Sequence, residues 1–188
     1  MYIPTITEST INGDKIYDIY SKLLEQRIIF INGEINDTLS NLVISELLYL
    51  DSLNTNDIDI YINSPGGSVT SGLALIDTMN FIKSDIRTTV VGIAASMASL
   101  ILASGTKGKR YSLKNSEVMI HQPLGGASGQ ATDIEIQAKR IINKKKMLNK
   151  MLATLTNNSL KRIEKDTERD KYLSSIEAKD YGLIDNII

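Results

Sequence analysis

Apolar positions along the chain switch repeatedly between a period near 3.6 and a period of two, which separates helical segments from strands. The first ten residues carry Pro4 and no apolar periodicity, so they read as an arm or loop outside the core. From Asp14 the spacing Ile16, Ile19, Tyr20, Leu23, Leu24 predicts a helix, and Arg27 to Ile31 then predicts a buried strand closed by the Asn32-Gly33 turn. Leu39, Leu42, Val43, Leu47 and Leu50 mark a second helix. Asp57 to Asn63 alternates as a strand, Ser64-Pro-Gly-Gly67 breaks it, and residues 69 to 83 resume helical spacing. Ile86 to Val91 is the next strand and leads into the small-residue run Gly92 to Ser99.

In the second half, Glu117 to His121 predicts a strand, and Gln122 to Gln130 is too glycine-rich to be helical. A long helix follows, with Thr132 and Glu135 as an expected capping box and Asn157-Asn158 at its end. Its apolar positions at 134, 138, 141, 142, 148, 151, 152 and 155 form one continuous stripe. Ser174 and Glu177 predict the cap of a last short helix that Gly182 stops, and Leu183 to Ile188 closes the chain. Strands alternating with helices imply parallel βαβ units, hence an α/β fold. With 188 residues, no internal repeat and no linker composition, one domain spanning residues 1–188 is expected.

Composition narrows the chemistry. With 21 basic and 22 acidic residues, the chain has no electrostatic footprint for nucleic acid or an acidic membrane. It has no cysteine, which removes disulfides, thiolate metal sites and cysteine nucleophiles, and its single histidine leaves little for a metal. Its longest apolar run, Val90 to Ala103, falls short of the ~20 residues of a membrane span. MYIPTITEST lacks the basic-then-apolar order of a secretory signal, so a soluble cytoplasmic protein is expected.

Four places carry candidate chemistry. Ser96 stands where a strand passes into small residues able to begin a helix, a usable position for a nucleophile and equally one for close helix packing. His121 is the only imidazole, so any mechanism with a histidine base must use it. Asp166 and Asp170 lie in a charged stretch that would serve as a solvated loop, and either is a candidate to orient an imidazole. Gly66 and Gly67 satisfy a turn, and a backbone without side chains also lets amides approach an oxyanion.

Tyr61-Ile-Asn-Ser-Pro-Gly-Gly67, Ala94-Ala-Ser-Met97, Met119-Ile-His-Gln-Pro-Leu-Gly-Gly126, Gly129-Gln-Ala-Thr-Asp-Ile-Glu135 and Asp166-Thr-Glu-Arg-Asp170 together resemble the ClpP family of peptidases, in the family's order. The likeness runs from about Ile3 to the C-terminus. It implies a crotonase-like βαβ superhelix, an axial arm over residues 1–12, and a handle over 122–156 made of the long helix and a glycine-rich strand. It further implies Ser96 as nucleophile, His121 as general base and then acid, and Asp170 as the orienting carboxylate, with Asp166 only a neighbour. The amides of Gly67 and Met97 would form the oxyanion hole, and substrate would lie as an added strand along residues 123–129, on Pro123, Leu124, Gly125 and Gly126.

The family assembles two stacked rings of seven subunits and receives unfolded protein from a separate AAA+ unfoldase, a ClpX-, ClpA- or ClpC-like ATPase. No Walker motif occurs in this chain, so ATP would be used by that partner, and neither a cofactor nor a metal is expected. The sequence departs from the family pattern at Ala98, at Ala127-Ser128, and at Asp59, a place often aromatic in the pocket that docks the ATPase. Two rival readings are a non-catalytic ring subunit and a crotonase-fold acyl-CoA lyase or hydratase using carboxylates for proton transfer.

Overall fold

A computed structural model describes residues 3–11 and 13–188. Residues 1, 2 and 12 of the expected axial arm lie outside the described residues. The arm begins as a hairpin, with β1 (Thr5–Thr10) antiparallel to β2 (Gly13–Asp18). The helix expected from Asp14 therefore starts later, as α1 (Ile19–Leu24). Asp18 is its N-cap, accepting from the Ser21 amide at 2.9 Å, and Ile16 belongs to an exposed strand rather than to a helical face.

The main sheet grows from parallel crossovers. β3 (Ile28–Asn32), β4 (Ile58–Ser64) and β5 (Ile86–Ala95) pair in that order and in parallel. Between them run α2 (Asp37–Leu53) and α3 (Val69–Phe81). Ile58, Ile60 and Ile62 point one way from β4 into the core, where they meet Val43, Leu47 and Leu50 of α2 and Leu75, Ile76 and Met79 of α3. Removing such a fully buried side chain to alanine costs about 2–5 kcal/mol.

β5 divides its pairing. Thr88 to Val90 run beside β6 (Arg110–Ser112), whereas Ile93 to Ala95 run beside β7 (Glu117–Ile120). Gly92, at φ 91°, marks the change between the two. β7 also pairs antiparallel with β8 (Lys171–Ser174), and β6 pairs with β9 (Asn186–Ile187). α4 (Met97–Ala103) leaves the end of β5 and is buried along its whole length.

The second half holds α5 (Ala131–Thr156), α6 (Leu160–Asp166) and α7 (Ser175–Tyr181). The expected box of Thr132 and Glu135 does not form: the N-cap is Gln130, without a side-chain bond, and Thr132 falls inside the first turn. Asn157 ends α5 in the left-handed region, at φ 56°. The capping box of Ser174 with Glu177 is present on α7, and Gly182 closes that helix at φ 88°. The glycine-rich segment is not a strand here. Residues 121–130 have no regular structure, because β7 pairs with β8 only as far as Ile120 and no further strand lies beside the segment to accept its hydrogen bonds.

A buried cation ties the C-terminal parts together. The Arg110 guanidinium binds Asp185 at 2.6 Å and 2.9 Å and donates to the carbonyls of Ala103, Leu155 and Gly182. Burial works against the Asp185 carboxylate, but the Arg110 bonds and the Gly108 amide outweigh it and hold its pKa below the ordinary value.

Candidate active site

Ser96 stands at the joint between β5 and α4, with φ 54° and ψ −120°. A non-glycine residue at positive φ is strained, and the neighbours impose it: the Ser96 amide donates to the Met119 carbonyl at 2.8 Å, while the next residue, Met97, is buried at the first position of α4. The Ser96 hydroxyl makes no cap bond to its own helix and meets the His121 Nε2 at 2.8 Å. On the other side of the ring, His121 Nδ1 lies 3.0 Å from Asp170 Oδ1. A proton on Nδ1 would point at the carboxylate and leave Nε2 facing the serine hydroxyl.

The three side chains come from distant parts of the chain. His121 follows the end of β7, and Asp170 precedes β8, so the Ile120↔Lys171 pair of those strands sets the two facing each other. The imidazole is mostly buried, whereas the Asp170 side chain is 58% exposed. Asp166 lies elsewhere. It pairs with Lys171 at 2.9 Å and accepts from the Tyr181 hydroxyl at 3.0 Å. Burial works against its charge too, yet those two bonds lower its pKa, while burial and Asp166 together raise that of Tyr181.

Gly66 approaches Ser96, and Gly67 approaches Ile35, as only glycines can. A Cβ on Gly66 would lie 2.6 Å from the Ala95 carbonyl oxygen and 2.7 Å from the Ser96 Cβ, and one on Gly67 would collide with the Ile35 carbonyl. Ile35 donates to the Gly66 carbonyl and accepts from the Ser68 amide, both at 2.8 Å, so the Gly67 amide stays out of that ladder. The Met97 amide, first in α4, has no carbonyl four residues back within the helix. The amides of Gly67 and Met97 thus stay outside the bridge and the helix's own hydrogen bonds.

Beyond His121 the chain borders an open cleft of about 320 Å³ running from Gly67 and Ser68 past Pro123 to Gly126 toward α5. Leu124 is exposed, and Gly125 packs so close to Ile141 that a Cβ would overlap it. Sequence reasoning missed the fastening of this region. Gln122 donates from its amide to the Thr167 carbonyl at 2.7 Å and from its side chain to the Glu168 carbonyl at 2.9 Å. Thr167 in turn bonds the buried Asn149 of α5 at 3.2 Å. An asparagine inside the apolar stripe, next to Leu148, was the available signal.

The family model of the Clp proteases matches residues 11–188. The chain belongs to the Clp protease family. It is therefore a peptidase, its mixed α/β architecture is the crotonase-like fold of ClpP, and at the family level it goes with oligomeric assembly and an ATPase partner. Among the described residues no helix is long and apolar enough to cross a membrane, and no cluster of His, Asp and Glu could hold a metal ion.

Proposed function

We propose that this Clp protease is a serine endopeptidase whose triad is Ser96, His121 and Asp170, and that it works as the proteolytic core of an ATP-dependent machine. The observation that carries this reading is the single imidazole of the chain lying between a hydroxyl at 2.8 Å and a carboxylate at 3.0 Å. In the reaction, Ser96 Oγ attacks the scissile carbonyl as its proton passes to His121 Nε2. Asp170 stabilises the imidazolium. The amides of Gly67 and Met97 receive the charge on the carbonyl oxygen, each donor contributing about 3–4 kcal/mol in hydrolases of this kind. His121 then gives its proton to the leaving amine, and a water, deprotonated by the same nitrogen, releases the acyl group from Ser96.

The substrate backbone would lie along Pro123, Leu124, Gly125 and Gly126, whose irregular structure in the single chain leaves them free to pair with an extended peptide. In the same reading residues 1–12 are an axial arm, residues 122–156 a handle joining two stacked rings of seven, and the feeding enzyme a cytoplasmic AAA+ unfoldase that alone uses ATP. Peptide hydrolysis itself then needs no cofactor or metal. A fluorophosphonate probe tests the centre: assembled protein should be labelled on Ser96, and labelling should vanish in Ser96→Ala and in His121→Ala. Labelling that survives Ser96→Ala would remove the serine from this role.

A further inference from the structure

The cleft beside the oxyanion amides has walls of unlike charge content. Of the residues that line it, only Arg140 and Lys144 are ionisable, and both are cations; the rest are small, apolar or amide side chains. No carboxylate lines it: Asp37, the first residue of α2, accepts from the hydroxyl of Ser71 in α3 and is not among the lining residues. Lys144 spans the cleft, its ammonium 3.0 Å from the Thr70 hydroxyl on the opposite wall. Arg140 is exposed and has no ion-pair or hydrogen-bond partner among the described residues.

The wider surface reinforces this. Along α5, Lys139, Arg140, Lys144 to Lys146 and Lys150 stand against only Asp133 and Glu135, and salt bridges engage just Lys139, with Glu135, and Lys145, with Glu168. In a chain whose net charge is −1, the two cations left without carboxylates in the cleft make a local positive field where substrate would lie.

We propose that Arg140 and Lys144 are specificity-determining residues that favour substrates carrying an aspartate or glutamate side chain within a few residues of the scissile bond. The inference rests on the triad reading, which places the reacting carbonyl beside Gly67 at one end of this cleft. An extended peptide on residues 123–126 sends alternate side chains toward α5, and a carboxylate there replaces the hydroxyl as the Lys144 partner and supplies the one Arg140 lacks.

The test uses the assembled full-length protein and internally quenched peptides in which one guest position, moved stepwise across the scissile bond, is Asp, Asn or Lys. The readout is the ratio of kcat/KM for the Asp peptide to that for its Asn counterpart, with the cut site checked by mass spectrometry. The wild type should favour Asp at one position by about tenfold at low salt, the ratio shrinking as ionic strength rises. Arg140→Gln and Lys144→Gln should each lower it about threefold. Arg140→Glu with Lys144→Glu should reverse the preference, so that the Lys peptide is cut faster than the Asp peptide; a mere change of assembly cannot produce that inversion. A ratio near one in the wild type, or one that charge reversal leaves unchanged while Ser96 is still labelled and peptides are still cut, overturns the proposal and spares the triad. Loss of both labelling and cleavage in the wild type overturns the triad reading and this inference with it.

Discussion

The two sides of the candidate site are built in different ways. The serine side is set in core: β4, β5 and α4 meet around Ile62, Ala94, Ala95 and Met97, all buried, and the glycine turn locks against Ser96 at distances no side chain tolerates. The histidine side hangs from a thin support, with an exposed Asp170, an unpaired glycine-rich segment and a helix that buries nothing before Leu148. The apolar stripe of α5 is split accordingly. Leu148 and Leu152 close the chain's own core, whereas Ile134 and Ile142 remain exposed, as do Ile136 and Met147 beside the stripe. The proposed nucleophile and oxyanion amides are thus held by buried core, whereas the proposed base and its carboxylate are held in place within the chain by the β7–β8 pairing and the Gln122 bonds.

The sharpest way to break that contrast is at the carboxylate. Asp170→Asn favours the wrong imidazole tautomer and should lower kcat by at least about 100-fold, while Asp166→Asn should leave most activity and lose thermal stability with its Lys171 and Tyr181 contacts. Steady-state kinetics on short peptides, beside melting curves, separates the two. The opposite ranking would move the triad acid to Asp166.

Nearly as large an effect is expected from the exposed apolar side chains on the first half of α5. If the proposed rings stack through this helix, Ile136→Glu with Ile142→Glu should unstack them in native mass spectrometry, keep the circular dichroism, and cut peptidase activity by about 100-fold, because a drift of about 1 Å at His121 or Asp170 has that consequence. Leu148 is unsuitable for such a test, since a charge there would strike the chain's own core. Unstacked protein as active per subunit as the full assembly would show that the histidine side needs no cover.

The same contrast explains what could be read from the residues. Strands such as Ile58 to Ile62 and helices such as 39–50 were legible because their periodicity is enforced by burial on one face. Ser96, His121 and Asp170 were singled out by motif resemblance, and their mutual distances follow from the β5–β7 and β7–β8 pairings, which periodicity could not supply. The hairpin of β1 and β2 was missed because Ile16, Ile19, Tyr20, Leu23 and Leu24 carry a helical spacing across a strand-to-helix junction. Short elements such as β6, α6, β8 and β9 carry too few apolar repeats to declare themselves. The glycine-rich segment was expected as a strand, and a strand needs a partner that one chain does not offer.

A milder and purely thermodynamic test probes the scaffold shared by both sides. Because the Asp185 carboxyl has a folded pKa below its unfolded value near 3.8, the stability it contributes is complete above that value and drains away as the pH falls below it. Asp185→Asn should cost roughly 3–5 kcal/mol at neutral pH by stranding the Arg110 guanidinium. Urea midpoints of the variant and the wild type should therefore converge as the pH is lowered toward 3. A gap that stays constant with pH would mean that the pair contributes nothing through its charge.

The smallest effect concerns the exposed clasp on the histidine side. Lys145 of α5 binds Glu168 at 2.9 Å, and its hydrogen bond is the main reason the Glu168 pKa is lowered. The Glu168 carbonyl also accepts from the Gln122 side chain, so this one residue links α5 to both the segment after His121 and the loop before Asp170. Glu168 is solvent-exposed, and exposed ion pairs contribute little to folding, so Lys145→Gln should leave the melting temperature unchanged. The clasp acts on geometry instead. Its loss should lower kcat by at most about fivefold with KM unaltered, and added salt should lower the wild-type kcat toward that of the variant, which itself responds less. A salt response identical in the two proteins would assign the positioning of Asp170 wholly to the buried Thr167 and Asn149 bond.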